Sequence, residues 1–157
     1  MTKRKLSNVD TIVIHCSATK ASQDVDIHDV RKWHKAKGWS DVGYHFVVLQ
    51  NGLIQYGRDI TRQGAHVKGH NKTSIGICYI GGLDEAGKPK DTLTDDQARA
   101  ISDLIEELVC HDELQITRLL GHRDFPGVAK ACPCFDIDDK FFPEVVIHSL
   151  TSHLDES

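Results

Sequence analysis

Thr11-Ile-Val-Ile-His-Cys16 reads as a β-strand that is apolar on both faces and ends in an imidazole and a thiol. Continuous apolar runs of this length suit a strand in the middle of a sheet, covered above and below, rather than an edge strand with one wet face. Side chains alternate along a strand, so His15 and Ser17 fall on one face and Cys16 on the other. Cys16 is therefore read as core. His15 stands at the end of a rigid element, where a chemically active group is held in place.

Working outward, Asp26 can cap a helix running to about Lys37, with Val30, Trp33 and His34 at helical spacing and Gly38 as the stop. Tyr44 to Gln50 is a second strand, Asn51-Gly52 a strong hairpin signal, and Leu53 to Gly57 the returning strand. Gly64 to Lys72 reads as a loop leading into another buried strand, Ser74 to Ile80. Thr94-Asp-Asp-Gln97 is a capping box, and the helix it opens carries Ala98, Ile101, Leu104, Ile105 and Leu108 along one apolar stripe. Ile116 to Leu120 forms a short strand that delivers His122, and Asp136 to about His153 a last helix interrupted near Pro143. Strands alternate with helices, but the hairpin forces an antiparallel pair. The expected fold class is thus α/β, of the mixed, α+β-like kind: a central mixed sheet of about five strands flanked by helices, in one layered domain. Residues 9–153 are expected to form this domain, and residues 1–8, with the basic run Lys3-Arg4-Lys5, a flexible N-terminal arm.

The 157 residues carry a formal charge of −4, which argues against direct nucleic-acid binding, since phosphate contacts need a basic face. No stretch is long and apolar enough for a transmembrane segment, and the N-terminus lacks a secretory signal pattern. The expected location is the cytoplasm of the cell that makes the protein. Five cysteines, an odd number, speak against a disulfide framework in such a reducing compartment. Cys78 and Cys110 sit in apolar runs and read as small buried hydrophobes.

Chemistry is signalled by three separated residues. His15 is answered far downstream by His122 and Cys132, in Gly121-His-Arg-Asp124 and Lys130-Ala-Cys-Pro-Cys134. Two imidazoles and a thiolate make a zinc site whose fourth tetrahedral position is open, the mark of a catalytic rather than a structural metal. Recruitment of Cys134 as a fourth ligand would close that site. There is no H-E-x-x-H and no run of carboxylates, so neither a helical zinc protease nor a two-carboxylate glycosidase is signalled. A cysteine–histidine nucleophile stays open as an alternative.

The chain resembles the zinc-dependent N-acetylmuramoyl-L-alanine amidases of the type-2 family, above all the small single-domain amidases of short-tailed bacteriophages, and more distantly the peptidoglycan-recognition proteins of animals. The matching stretches are I-V-I-H-C-S-A-T-K (12–20), R-K-W-H-K-A-K-G-W-S-D-V-G-Y-H-F (31–46), G-A-H-V-K-G-H-N-K-T-S-I-G-I-C-Y-I-G-G (64–82), G-H-R-D (121–124) and K-A-C-P (130–133). The resemblance implies that His15, His122 and Cys132 ligate one zinc ion, Zn2+. It places Tyr44 and Lys130 on the catalytic tyrosine and lysine, and His66 in a loop that lines the substrate-binding cleft. The assignment of Lys130 rests on K-A-C-P, because the segment after His122 is slightly longer here than in the phage relatives. Cys134 stands where those relatives have a small hydroxyl residue. Trp33 and Trp39 read as packing residues rather than as a sugar platform. The implied reaction is hydrolysis of the amide between N-acetylmuramic acid and L-alanine in bacterial peptidoglycan, by a monomeric phage or prophage endolysin that reaches the cell wall after release through the membrane. Two alternatives accompany it: a regulator that binds phage RNA polymerase, and a peptidoglycan-binding module without catalysis.

Overall fold

The computed structural model describes residues 3–128 and 130–141. Its ten main elements are β1 (Thr11–Cys16), β2 (Thr19–Lys20), α1 (Ile27–Ala36), β3 (Phe46–Val48), β4 (Ile54–Tyr56), β5 (Ser74–Tyr79), β6 (Gly82–Leu83), α2 (Asp95–Val109), β7 (Arg118–Gly121) and α3 (Ile137–Lys140). Five strands form one mixed sheet in the order β4-β3-β5-β1-β7, and β2 and β6 make a small parallel pair beside it. Every residue of β1 and β5 is buried, as expected of central strands with both faces covered. β1 runs parallel to β5, with His15 opposite Cys78, and parallel to β7, with Ile14 opposite Gly121. The β3–β4 hairpin supplies the antiparallel pair, with Phe46 opposite Tyr56.

The two faces of the sheet are built differently. One carries Ile12, Ile14, Ile75, Ile77, Tyr79 and Val48 into a continuous core beneath α2. The other holds two small separate clusters: Val47 and Ile80 with Val30 of α1, and Val13 with Val67 and Phe125. Between those clusters the sheet presents His15, Gly76 and Cys78 instead of large aliphatic groups. The gap is where a cleft can form.

Both helix starts follow the sequence. Asp26 accepts from the backbone N–H groups of His28 and Asp29, while the Asp29 side chain caps Asp26 in return. Thr94 and Gln97 form the same reciprocal box at α2. The inward stripe of α2, however, begins at Gln97 and not at Ala98, which is only half-buried. Gln97 is fully buried, and its amide nitrogen donates to the carbonyls of Val48 and Ile80 at 3.2 and 3.0 Å. A hydrophobic pattern counts glutamine as polar, but here a side-chain amide is what the ends of two buried strands require.

From Lys3 onward the N-terminal residues make contacts with the rest of the fold. Lys3 bridges to Arg62, and Leu6–Asn8 form a short 3-10 turn. The Arg4 guanidinium donates to the carbonyls of Ile60, Asn71 and Ser74 at 3.0, 2.8 and 2.7 Å. A guanidinium offers five donors, and the irregular backbone between β4 and β5 leaves carbonyls free to take them. Burial lowers the Arg4 pKa to about 10, which leaves it charged at neutral pH. At the other end, α3 covers only Ile137–Lys140, and the remainder of the helix expected up to His153 lies outside the described residues.

Replacing Gln97 by Ala removes the donor from the buried Ile80 carbonyl, while the Val48 carbonyl keeps the Ile80 N–H at 3.0 Å. A buried carbonyl left unpaired costs about 1–3 kcal/mol. The Gln97→Ala protein is expected to unfold at a clearly lower urea concentration with an unchanged denaturant slope.

Candidate active site

The three metal-ligand candidates, drawn from opposite ends of the chain, converge on the open face of the sheet. The ligand atoms of His15, His122 and Cys132 all lie within 4.8 Å of one another, the single such cluster among the described residues. His15 is 1% exposed and fixed by β1. His122 opens a 3-10 turn directly after β7, the neighbour of β1 in the sheet, which brings its ring centroid within 4.6 Å of that of His15. The Arg123 N–H donates to the Cys132 carbonyl at 2.8 Å, tying the cysteine loop alongside the His122 turn. Gly121 makes this approach possible, because a Cβ there would meet the Pro133 ring at 2.8 Å. The buried Tyr79 hydroxyl donates to the Pro133 carbonyl from beneath.

These residues fit a zinc ion. Tetrahedral Zn–N and Zn–S bonds set an N···S separation of about 3.6 Å, and His15 Nδ1 lies 4.0 Å from Cys132 Sγ. Cys132 Sγ also accepts the Cys16 N–H at 3.1 Å, which holds the sulfur beside the end of β1. Cys134 does not join the cluster: its thiol donates to the Gly82 carbonyl at 3.3 Å, which leaves the three-ligand set open. Cys16 is buried in the core beneath α2.

A cleft of about 660 Å³ surrounds the cluster. Tyr44 stands over it, its ring 5.0 Å from that of His15 and 5.4 Å from that of the buried His34. Burial holds the Tyr44 phenol well above its ordinary pKa, and the thiols of Cys78, Cys132 and Cys16 push it the same way, so the group is a hydroxyl donor at neutral pH. The exposed Lys130 also lines the cleft, near enough to His15 and His122 for its charge to act on both. Lys37 and Lys68 complete a cationic rim, and no carboxylate occurs among the described lining residues, although the protein as a whole is acidic. Trp33, expected to pack inward from α1, is 41% exposed and lines the cleft with the half-buried Trp39. The helical spacing of Trp33 was right, but the inner stripe is filled by Ile27, Val30 and His34.

His66 lies on the cleft wall, and both its ring nitrogens are engaged within the protein. Nδ1 is 2.9 Å from His15 Nε2, and Nε2 is 3.2 Å from Ser74 Oγ. Its ring needs two glycines. A Cβ on Gly76 would meet it at 2.8 Å and one on Gly64 at 2.7 Å. The sequence signal for this arrangement was the Gly in Ser74-Ile-Gly76, an interruption in an otherwise aliphatic strand. Burial lowers the pKa of His15 and His66 well below the usual histidine value, and the positive fields of His122 and Lys130 add to this at His15.

With this geometry in place, the relatives of the chain are informative. Residues 5–135 match the family of N-acetylmuramoyl-L-alanine amidases, and the chain belongs to that family. The endolysin of Klebsiella phage KP32 is 44% identical over 135 residues, 85% of each chain. Among solved structures, the endolysin amidase LysCS from Clostridium intestinale superposes with a TM-score of 0.72 at 26% identity, over 96% of this chain and 89% of that one. Bumblebee PGRP-SA superposes with a TM-score of 0.73 at 25% identity, over 90% and 89%. The protein is accordingly a hydrolase that cleaves the amide joining N-acetylmuramic acid to L-alanine in bacterial peptidoglycan, of the phage endolysin kind.

Buried neutral histidines make stability depend on pH. Burial lowers the pKa of both His34 and His45 to about 4, and the Gly43 and Gly76 N–H groups donate to their Nδ1 atoms, which a protonated ring cannot accept. Between about pH 6.5 and pH 4 the unfolded chain binds more protons than the folded one. Stability is therefore fully present above pH 6.5 and falls on acidification, by up to about 1.4 kcal/mol per pH unit for each such histidine. Urea melts from pH 7.5 to 4.5 should show the decline, and the His45→Gln protein a shallower one.

Proposed function

We propose that His15, His122 and Cys132 hold one zinc ion and that Tyr44 and Lys130 carry the charge that develops on the scissile carbonyl. The observation that supports this most directly is the convergence of three ligand atoms within 4.8 Å at the floor of a cleft walled by these two side chains. When bound, the metal supplies an activated water at neutral pH and polarises the carbonyl. The remaining work falls to the protein. Tyr44, kept protonated by burial, donates its hydroxyl to the oxygen that becomes negative, and the Lys130 ammonium, which lines the same cleft, neutralises that oxygen. Either group can then donate a proton to the leaving amine and recover one from the water consumed in the hydrolysis. His15 and Cys78, neighbours in the sheet, give this chemistry a rigid floor.

The cationic rim supports a substrate whose peptide bears carboxylates, as peptidoglycan stem peptides do. Lys37 and Lys68 are placed to meet those groups, with Trp33 and Trp39 offering flat surfaces beside them. The kinship with phage endolysins supports action on the wall after release through the membrane. Among the described residues no helix is long and apolar enough to cross a membrane.

Cys132→Ser and His15→Ala are expected to lose bound zinc and wall-lysing activity together. Tyr44→Phe and Lys130→Ala should retain one zinc per chain while turnover drops by about 10²–10³-fold, the size of losing one preorganised oxyanion donor. Metal analysis beside a turbidity assay on isolated bacterial walls checks both statements. Normal turnover in the Lys130→Ala protein, or lysis that survives complete removal of metal by a chelator, would refute the assignment.

A further inference from the structure

His15 presents two ring nitrogens, and only the one without a proton can bind a metal. Nδ1 faces Cys132 Sγ at 4.0 Å, and Nε2 faces His66 Nδ1 at 2.9 Å. From His66 the chain of contacts continues through Nε2 to Ser74 Oγ at 3.2 Å, and from that hydroxyl to the His70 carbonyl at 2.7 Å. A backbone carbonyl only accepts, so the chain has a direction. The His70 carbonyl takes the single hydroxyl proton of Ser74. Ser74 Oγ is then left to accept, which requires a proton on His66 Nε2. A neutral His66 with Nε2–H has a bare Nδ1, which accepts from His15 Nε2–H. His15 is left with its lone pair on Nδ1, aimed at Cys132.

We infer that His66 and Ser74 are positioning residues that fix the tautomer and ring orientation of His15, so that the site is set to receive a metal before one arrives. This rests on the proposed zinc site, and it assigns His66 a task other than gripping substrate, for which it has no ring nitrogen to spare. The surrounding structure is consistent with that task. Gly76 and Gly64 clear space for the ring, and the Asn71 side chain accepts from the backbone N–H groups of His66 and Val67 at 2.9 Å each. Arg4 grips the carbonyls of Asn71 and Ser74, so the loop that carries His66 and the serine that faces its ring are anchored to the same N-terminal residue. Ser74 is completely buried, which keeps water from replacing its hydroxyl as the acceptor.

Partners that orient a ligating histidine typically matter by about 10–100-fold in metal affinity. The full chain, stripped of metal, is titrated with zinc against a chromophoric chelator. His66→Leu is expected to bind zinc about 10–100-fold more weakly. His66→Asn, whose side-chain oxygen can accept from His15 Nε2–H, should recover much of that loss, and Ser74→Ala should fall between Asn and wild type. A second measurement needs neither a variant nor activity: in the 15N-resolved ring spectrum of the metal-free wild type, His15 is expected in the Nε2–H form. In Ser74→Ala it is expected as a mixture of tautomers. Zinc affinity in His66→Leu within twofold of wild type, or His15 in the Nδ1–H form in the metal-free wild type, would overturn the inference. A wild-type chain that binds no zinc at all would instead overturn the metal site itself.

Discussion

An imidazole almost sealed from water on the middle strand of a sheet has to find a partner for each nitrogen inside the protein, and this requirement at His15 governs the open face of the molecule. A buried polar atom left unpaired costs as much as several favourable contacts return. His66 and Cys132 answer it from opposite sides. Each answer brings further demands. His66 can lie flat against the sheet only because position 76 is a glycine, and its loop stays in place only because Asn71 and Arg4 hold its backbone. Cys132 can come alongside only because Gly121 lets the Pro133 ring approach.

This division of labour explains the asymmetry of the fold. The face under α2 is a continuous aliphatic core, and most of the stabilising burial is concentrated there. The opposite face forgoes a continuous core, and its two small clusters sit at the margins of the cleft like buttresses. The imidazoles, the thiols and the tyrosine occupy the interval, and the burial of His15 at its base strengthens the electrostatic contacts made there.

Much of this was legible in the sequence, for identifiable reasons. β1 and β5 announce themselves as unbroken apolar runs, and the Asn51-Gly52 turn and the two capping boxes are local chemistry that a short window contains in full. His15, His122 and Cys132 could be proposed because few residue types make such a site, and the family resemblance then set them in one place. What escaped was decided by contacts between distant segments. The inward turn of Gln97 answers carbonyls of β3 and of the residue following β5, which no helical periodicity encodes. Trp33 was read as an inward residue because it is large and apolar, yet the helix had enough smaller groups for its buried stripe. Arg4 resembled part of a solvated basic tail until a loop some 60 residues away supplied carbonyls for it. The partnership of His66 with His15 depends on the register between β1 and β5 and on an absent side chain at Gly76, and a missing Cβ leaves little trace in a pattern of polarity.

The position of β1 between β5 and β7 has a consequence for how the chain is made. While the polypeptide emerges from the ribosome, β1 can pair with β5 once residue 79 is out, but its other edge waits for residues 118–121. Until then the β1 edge from Thr11 to Ile14 is a row of unpaired peptide groups, the kind of edge that recruits other chains. His122 follows that segment directly, so closing the edge brings it beside His15 and leaves only Cys132 to complete the cluster. A nascent chain stopped short of Arg118 therefore has an adhesive edge and lacks two of the three clustered side chains.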